Sequence, residues 1–280
     1  MIQRERLVLI GHPVAQSLSP VMHNAALEAA GLALRYEAID VEAERVGEVL
    51  AQLATQNCAG NVTFPHKKAA MNAMASHSEI AHRAGAVNTF WSDGAGSLEG
   101  DNTDVAGFDA AVVEMLGGMP EGVRVAVLGA GGAAGAVLTA IDAWPGATAS
   151  VHARDLARAV AMRMRHSVVV RACSMRDPCL ADADLVVNAT PIGMGTDDMP
   201  EELERLAPHA VVFDLVYGRD ETAFVREARA RGHTASDGLR MLLHQGVAAF
   251  ERWFAAPPDQ AVMWSALLEA TGRSGEARAG

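Results

Sequence analysis

The stretch V-A-V-L-G-A-G-G-A-A-G at residues 125–135 decides the fold of the C-terminal half. A buried-type strand runs directly into a glycine-rich turn, and a helix of small residues follows. Gly129 allows the tight turn, while Gly131 lets the backbone approach a pyrophosphate at the helix N-terminus. Because a strand precedes and a helix follows, this spacing predicts a dinucleotide-binding turn more than an ordinary strand–helix connection. The turn residues assigned to the cofactor are Gly129, Ala130, Gly131, Gly132 and Ala133.

Buried-type strands and helices alternate on both sides of this turn. Before it, strands are predicted at residues 7–10, 36–41, 61–64, 86–90 and 96–98. Helices are predicted at 20–30, at 46–53, after Pro65 and at 104–116. After the turn-leading strand at 123–128, strands at 148–152, 168–171, 185–188 and 211–214 leave room for helices between them. Such alternation predicts an α/β protein with parallel or mixed sheets covered by helices on both faces.

The turn-rich segment G-G-M-P-E-G at 117–122 separates two series of these units. We predict two domains. The N-terminal mixed-sheet domain, comprising residues 1–106 and 240–272, would bind the substrate. Residues 107–239 would form a Rossmann-type dinucleotide-binding domain. The helical pattern at 241–254 has no strands beside it and predicts a C-terminal helix that returns to the first domain, and residues 273–280 are expected to fray.

Composition and charge narrow the class of protein. The chain has 280 residues, half of them hydrophobic, and a net charge of -11, which argues against a nucleic-acid-binding surface. Three cysteines without a C-x-x-C pair indicate a reducing compartment and neither a disulfide framework nor a metal site. With no apolar run of about 18 residues and no secretory leader, we predict a cytoplasmic enzyme.

Two arginines follow the strand after the glycine turn, in the sequence S-V-H-A-R-D-L-A-R. Arg154 and Arg158 are four residues apart, so a helix would place them on one face, where guanidiniums suit a 2′-phosphate. This favours NADP, but Asp155 could instead hold the ribose hydroxyl of NAD, and a surface Asp155–Arg158 pair is the plain alternative. Thr190 and Met194 follow a later strand end, where open α/β sheets bind ligands.

The sequence G-N-V-T-F-P-H-K-K at residues 60–68 places two lysines at a helix start. Pro65 is tolerated in a first helical turn, so Lys67 would lie at the positive end of the helix dipole. A cation there is disfavoured by about 0.3–1 kcal/mol. Lys67 is therefore either a solvated surface residue or a residue with a chemical task. Lys68 points about 100° further round the helix and is expected to be solvated.

A pair of hydroxyls lies in S-L-S-P-V-M-H-N at residues 17–24. Ser19 precedes Pro20, which is the pattern of a helix N-cap. Capping alone does not explain Ser17. Two hydroxyls beside exposed helix N–H groups could hold a carboxylate.

Several motifs occur together and in order. They are G-x-P-x-x-x-S-L-S-P-x-x-H-N from residue 11, G-N-V-T-x-P-x-K, G-A-V-N-T, G-D-N-T-D, G-A-G-G-A-A, N-A-T-P-I-G-M at 188–194, D-L-V-Y at 214–217 and G-L-x-M-L-x-x-Q at 238–245. Together they are specific, and over nearly its whole length the chain resembles the shikimate/quinate dehydrogenase family.

The resemblance implies reversible NADPH-dependent reduction of 3-dehydroshikimate to shikimate, a step of aromatic amino acid biosynthesis. Lys67 and Asp104 would be the catalytic proton-transfer pair, and Ser17 and Ser19 would bind the substrate carboxylate. Further substrate contacts are expected at Thr63, Asn88, Tyr217 and Gln245, with Asn61 and Asn102 shaping the pocket, and further cofactor contacts at Gly238 and Met241.

Three alternatives remain open from the sequence. Ala153 and Asp155 replace the Asn and Thr usual in the family's NADP motif, so an NAD-using or dual-specificity quinate/shikimate dehydrogenase is the nearest rival. A non-catalytic ligand or dinucleotide sensor on the same fold is the rival of another class. Retention of Lys67 and Asp104 argues against a sensor, which needs no proton donor. The sequence leaves open whether the protein is a monomer or a homodimer.

Overall fold

The computed structural model describes residues 3–273. Its strands are β1 (Arg6–Gly11), β2 (Tyr36–Asp40), β3 (Cys58–Val62), β4 (Ser76–His77), β5 (Thr89–Ser92), β6 (Leu98–Asp101), β7 (Arg124–Leu128), β8 (Thr148–His152), β9 (Val169–Cys173), β10 (Leu185–Asn188), β11 (Val211–Asp214) and β12 (Ala235–Ser236). Its α-helices are α1 (Ser19–Ala29), α2 (Val46–Ala54), α3 (Lys67–Ala73), α4 (Glu79–Ala84), α5 (Asp104–Leu116), α6 (Gly132–Ile141), α7 (Leu156–Met162), α8 (Ala223–Ala230), α9 (Leu239–Phe254) and α10 (Gln260–Thr271). Short 3-10 helices lie at Ala43–Arg45, Pro178–Asp182 and Leu203–Arg205.

The first compact unit comprises residues 3–107 and 242–272, so the C-terminal helices return to it as predicted. Its sheet has the strand order β2-β1-β3-β5-β6-β4. The sheet is mixed because β5 runs antiparallel to both β3 and β6. Apolar side chains of β1 and β3 pack with those of α2, as in the cluster of Val8, Leu50 and Val62. Burial of this face stabilises the sheet that positions the polar residues at its edge.

The second compact unit comprises residues 108–241 and Arg273. Its sheet has the order β12-β11-β10-β7-β8-β9, and its pairings are parallel. This is the strand order of a doubly wound dinucleotide-binding sheet. From β7 the chain adds β8 and β9 on one side, and it then adds β10, β11 and β12 on the other side. The predicted α/β class with a mixed-sheet unit and a Rossmann-type unit is therefore confirmed.

Three strands lie a few residues away from their predicted ranges. The strand expected at 61–64 is β3, Cys58–Val62, because residues 58–62 pair with β1 before the chain turns at Pro65. The strand expected at 86–90 is β5, Thr89–Ser92. Ala86 instead completes the end of α4, where Gly85 is left-handed and both their N–H groups donate to Ala81. The strand expected at 96–98 is β6, Leu98–Asp101.

The C-terminal end is ordered further than predicted. Arg273, expected to fray, donates to the carbonyls of Gly218 and Arg219 and pairs with Asp237 at 2.7 Å. The remaining residues of that prediction, 274–280, lie outside the described residues. Between residues 3 and 273, no helix has the length and apolar character needed to span a membrane.

Candidate active site

Lys67 and Asp104 form an ion pair in the first unit. Each is the first residue of a helix, Lys67 of α3 and Asp104 of α5. Lys67 Nζ lies 2.6 Å from Asp104 Oδ2, and the two side chains are only 21% and 7% exposed. Lys68 is exposed, as predicted. The arrangement places a shielded ammonium beside a single carboxylate, which is a suitable geometry for moving a proton.

Asn88 connects this pair to other predicted substrate residues. Its Nδ2 donates to Asp104 Oδ1 at 2.8 Å and lies 3.4 Å from Gln245 Oε1. The same group donates to Thr103 Oγ1 at 3.0 Å, while Thr103 N–H donates to Asn88 Oδ1 at 2.7 Å. The fold thus brings the half-buried Lys67 and the buried Asp104, Asn88 and Gln245 into one hydrogen-bonded cluster. The motifs contained Thr103 but gave no reason to single it out.

Two further asparagines hold the cluster in place. Asn61 Nδ2 donates to the carbonyl of Asn88 at 3.1 Å, and Tyr36 Oη donates to Asn61 Oδ1 at 2.8 Å. Asn102 Oδ1 accepts from the N–H of Asp104 at 3.1 Å. Asn102 thus satisfies the first free N–H of α5, and the Asp104 carboxylate bonds to Lys67 and Asn88.

His23 lies in the same buried layer and stays neutral. Its ring stacks on Tyr36 and lies tilted against Trp253, with centroids 4.6 and 4.9 Å away. Within the described chain, neither ring nitrogen has a hydrogen-bond partner. Burial without a partner lowers the pKa of His23 to about 3. The imidazole therefore adds no positive charge beneath the cluster at neutral pH.

Ser17 and Ser19 lie together at the start of α1, but not as the capping pattern predicted. The helix begins at Ser19, the N-cap is Leu18, and no side chain caps the helix. Instead, Ser17 Oγ accepts from the N–H of Ser19 at 3.3 Å. Ser19 is 6% exposed, and its hydroxyl has no protein partner within residues 3–273. The helix starts at Ser19, one residue before the predicted start at Pro20. Ser19 is therefore not the N-cap, and its hydroxyl is not used for capping.

Thr63 follows β3 and is fixed by close packing. Its N–H donates to the carbonyl of Ile10 at 2.8 Å. A Cβ on Gly11 would lie 2.4 Å from Thr63 Cγ2, so only glycine leaves room for the threonine at that point. Thr63 is half-buried.

The glycine turn in the second unit has the predicted form. Helix α6 begins at Gly132 with Gly131 as its N-cap, and no side chain caps the helix. Gly129 has φ +109°, and a Cβ there would lie 2.9 Å from Ala189 O. At Gly131, by contrast, no described atom lies within 4 Å of an added Cβ. The uncapped N–H groups beside this open space, with Ala130 and Ala133 in the same turn, fit a dinucleotide pyrophosphate.

After β8, Asp155 serves the local structure, whereas Arg154 is left exposed to solvent. Asp155 caps α7 through Oδ1, which accepts from the N–H of Ala157 at 3.0 Å. Its Oδ2 lies 3.3 Å from Arg158 Nε, so the surface pair weighed from the sequence is formed. Arg154 is exposed and has no ion pair or hydrogen bond to any residue between 3 and 273. A 2′-phosphate would therefore find Arg154 available, while Asp155 is occupied by capping and pairing.

A buried network that the sequence reasoning missed supports Thr190. The N–H and Oγ1 of Thr190 donate to Asn188 Oδ1 at 3.0 and 2.7 Å. Asn188 Nδ2 donates in turn to Asp214 Oδ1 at 2.8 Å. Burial raises the pKa of Asp214 to about 6, although hydrogen bonds from Thr222 and Asn188 oppose this rise. The only signal in the sequence was that Asn188 and Asp214 each begin a motif.

The other predicted residues of the second unit lie in separate loops and in helix α9. Met194 is half-exposed after β10, whereas Met241 is 8% exposed in α9. Tyr217 follows β11 and is partly buried. A Cβ on Gly238 would lie 2.3 Å from Leu215 O, which explains why glycine is needed there.

Comparisons with known proteins agree with these features. Residues 9–90 match the family described as the shikimate dehydrogenase substrate binding domain, and residues 238–268 match the shikimate 5'-dehydrogenase C-terminal domain. The chain is 39% identical over 270 residues to a shikimate dehydrogenase (NADP(+)) of Mesorhizobium japonicum, covering 95% of this chain and 96% of the relative.

Two solved structures resemble the whole chain. The first is shikimate 5-dehydrogenase of Thermus thermophilus in complex with NADP(H) and shikimate, with TM-score 0.84, 37% identity, and coverage of 95% of this chain and 99% of that one. The second is the ligand-free form of 5-ketofructose reductase of a Gluconobacter strain, with TM-score 0.82, 30% identity, and coverage of 96% of this chain and 100% of that one.

Proposed function

Because the chain belongs to the shikimate dehydrogenase family, we propose that it catalyses the reversible NADPH-dependent reduction of 3-dehydroshikimate to shikimate. The observation that carries this proposal is the shielded ion pair of Lys67 Nζ and Asp104 Oδ2, 2.6 Å apart and joined to Asn88. A protein that only bound its ligands would gain nothing from a proton donor held in this way.

Lys67 is the proposed proton donor. Reduction of a ketone leaves an alkoxide that must gain a proton, and a positioned donor contributes roughly 10²–10⁴-fold to the rate. The hydride would come from NADPH when it is bound. Asp104 holds the ammonium of Lys67 in one position, and Asn88 holds Asp104 by its second carboxylate oxygen. In the oxidation direction the same lysine nitrogen accepts the hydroxyl proton.

The substrate is proposed to be held by neutral groups. Ser17 and Ser19 would bind the carboxylate, since the Ser19 hydroxyl has no other partner in the described structure. Thr63, Asn88 and Gln245 would bind ring hydroxyls, and Tyr217 would be a further substrate contact. In a chain of net charge -11, hydroxyls beside helix N–H groups are a local means of holding an anion.

NADP is proposed to lie on the second unit. Its pyrophosphate would bind the turn at Gly129–Ala133, and its 2′-phosphate would bind Arg154, with Arg158 nearby. Thr190, Met194, Gly238 and Met241 remain proposed contacts. The preference for NADP over NAD is supported by Asp155, whose carboxylate is taken up by the helix cap and by Arg158.

We place the protein in the cytoplasm, with small molecules as its ligands and no nucleic acid or membrane partner. The thiols of Cys58, Cys173 and Cys179 are all unpaired, which suits a reducing compartment. The protein is proposed to serve aromatic amino acid biosynthesis as a monomer or homodimer, which sedimentation would distinguish.

A matrix of substrates and cofactors tests the reaction. The purified chain should show its highest kcat/KM with shikimate and NADP. The matched arms are quinate with either cofactor, shikimate with NAD, and 5-ketofructose with NADPH. The last arm is included because a 30% identical structure carries that activity in its name. A higher kcat/KM for quinate with NAD, or for 5-ketofructose, would replace the proposed substrate.

A further inference from the structure

Three potential metal ligands meet at one end of the second sheet. His152 is the last residue of β8 and Cys173 the last residue of β9, and parallel pairing places them directly side by side. The 3-10 helix Pro178–Asp182 returns Cys179 to the same point. The two sulfurs are 3.1 Å apart, and Cys179 Sγ lies 3.7 Å from His152 Nε2. All three ligand atoms lie within 4.8 Å of one another.

Two thiols and an imidazole are the ligands that a borderline-soft divalent ion prefers. Tetrahedral Zn²⁺ with Zn–S bonds of about 2.3 Å holds its sulfurs about 3.8 Å apart, so the cluster must open by less than about 1 Å. We propose that His152, Cys173 and Cys179 form a binding site for Zn²⁺. The sequence had predicted no metal site because the cysteines are six residues apart and the histidine lies on another strand.

Burial determines the character of the site. His152 and Cys173 are 0% and 1% exposed, while Cys179 is partly exposed. An ion held here therefore has three protein ligands, with access from the side of Cys179. Ser150 Oγ lies 3.0 Å from His152 Nε2 and must turn away when that nitrogen binds the ion. Asp177 accepts from the N–H of Cys179 at 3.0 Å and fixes the returning turn.

The competing use of the two thiols is a reversible disulfide. Both thiols are free in this structure, and a disulfide would need an oxidant, whereas binding a divalent ion needs none. A disulfide would also leave the adjacent imidazole without a purpose.

Binding requires a defined exchange of protons. Two S–H bonds break, two metal–sulfur bonds form, and two protons pass to the buffer, with no change in oxidation state. His152 binds through the lone pair of a neutral imidazole nitrogen and so releases no proton of its own. The expected release is therefore about two protons per ion.

The test is titration of the reduced full-length chain with Zn²⁺ under anaerobic conditions, by calorimetry in buffers of different ionisation enthalpy. We expect one Zn²⁺ per chain, release of about two protons and a higher unfolding temperature. Co²⁺ should give intense sulfur-to-metal charge-transfer absorption. Cys173→Ser and Cys179→Ser should each weaken binding at least about tenfold, a loss expected for a ligand of this kind. Cys58→Ser is the matched control, since its buried thiol lies in the first unit.

Several outcomes would overturn the proposal. They are absence of binding by the reduced chain, Co²⁺ binding without charge-transfer absorption, and undiminished binding by Cys179→Ser. Equal weakening by Cys58→Ser would show that the ion binds elsewhere or that the effect is one of folding. If the buried Cys173→Ser variant fails to fold, the partly exposed Cys179→Ser variant and the Co²⁺ spectrum decide.

Discussion

In the first unit Lys67, Asp104 and Asn88 bond to one another, whereas in the second unit the glycine turn and Arg154, both assigned to the cofactor, present uncapped N–H groups and an exposed guanidinium. Asp104 is held by Lys67 and Asn88 and is 5% exposed. Arg154 is exposed and has no partner within the described residues.

The difference follows from the proposed roles of the two units, proton transfer in the first and cofactor binding in the second. A proton donor acts only from a fixed position, and a buried polar group without partners is costly, so Lys67, Asp104 and Asn88 satisfy one another. A dinucleotide brings its own charges, and it can be recognised by helix N–H groups and a surface guanidinium that stay hydrated until it binds.

The largest effect is expected when the proton donor is removed. Lys67→Ala should lower kcat by roughly 10²–10⁴-fold because the alkoxide loses its positioned acid. The dissociation constant for shikimate, measured separately by calorimetry, should change much less. Lys68→Ala, one residue on and solvent-exposed, is the control and should leave both quantities unchanged. Full turnover in Lys67→Ala would exclude this lysine from the chemistry.

A second test fills the open space beside the glycine turn. Gly131 has φ -98° and ψ -169°, so any residue can adopt its backbone conformation. Gly131→Val should therefore preserve the unfolding temperature. It should raise KM for NADP by about 10- to 100-fold, the loss expected when one or more hydrogen bonds to a charged phosphate are blocked. Gly118→Val, at another open glycine, is the control. Unchanged KM in Gly131→Val would remove this turn from the cofactor site.

A third test addresses cofactor choice. Arg154→Ala should lower kcat/KM with NADP by about tenfold, since one charge-assisted bond to the 2′-phosphate is lost. The value with NAD should stay nearly constant because NAD lacks that phosphate. Arg165→Ala, an exposed arginine of the same unit, should affect neither cofactor. Equal losses with NADP and NAD would contradict the assigned role.

The smallest effect is expected on the pH dependence of stability and comes from His23, whose buried ring nitrogens have no hydrogen-bond partner in the described residues. His23 has a pKa of about 3 in the folded chain and 6.5 as its ordinary value. Between these values the unfolded chain binds more protons, so stability falls as pH falls, by at most about 1.4 kcal/mol per pH unit from this group. His23→Phe, which retains an aromatic ring against Tyr36 and Trp253, should flatten that loss of stability in urea unfolding.

The control for this test is His12, a histidine whose pKa is shifted in the opposite direction. The hydrogen bond with Asp40 raises the pKa of His12, so its contribution is complete at low pH and is lost as pH rises. His12→Gln should therefore leave the acid-side loss intact. An unchanged pH slope in His23→Phe would show that the buried imidazole is not the group responsible.

Sequence alone could predict much of the fold, because local signals agreed with the tertiary structure. The strand, glycine turn and small-residue helix around Gly129 are contiguous, and the start of α5 at Asp104 was recognised correctly. The strand at 86–90 was wrong because the apolar Ala86 belongs to the end of α4, which Gly85 terminates. Hydrophobicity marks burial without saying which element is buried.

The site was predicted less completely because its contacts depend on pairings between distant segments. The motifs named Lys67 and Asn88, but the central position of Asn88 arises only when Gln245 returns with α9. Likewise, His152 and Cys173 become neighbours only through the register of two parallel strands. No spacing in the sequence encodes such a meeting.

A double-mutant cycle on kcat shows whether Lys67 and Asp104 move the proton as one unit. It uses Lys67→Ala, Asp104→Asn and the combined variant, with shikimate and NADP at saturation. Residues that act as one unit lose activity together, so the combined variant should be about as impaired as Lys67→Ala alone. If the two losses instead multiply, Lys67 and Asp104 act independently, and their pairing in the first unit is not what moves the proton.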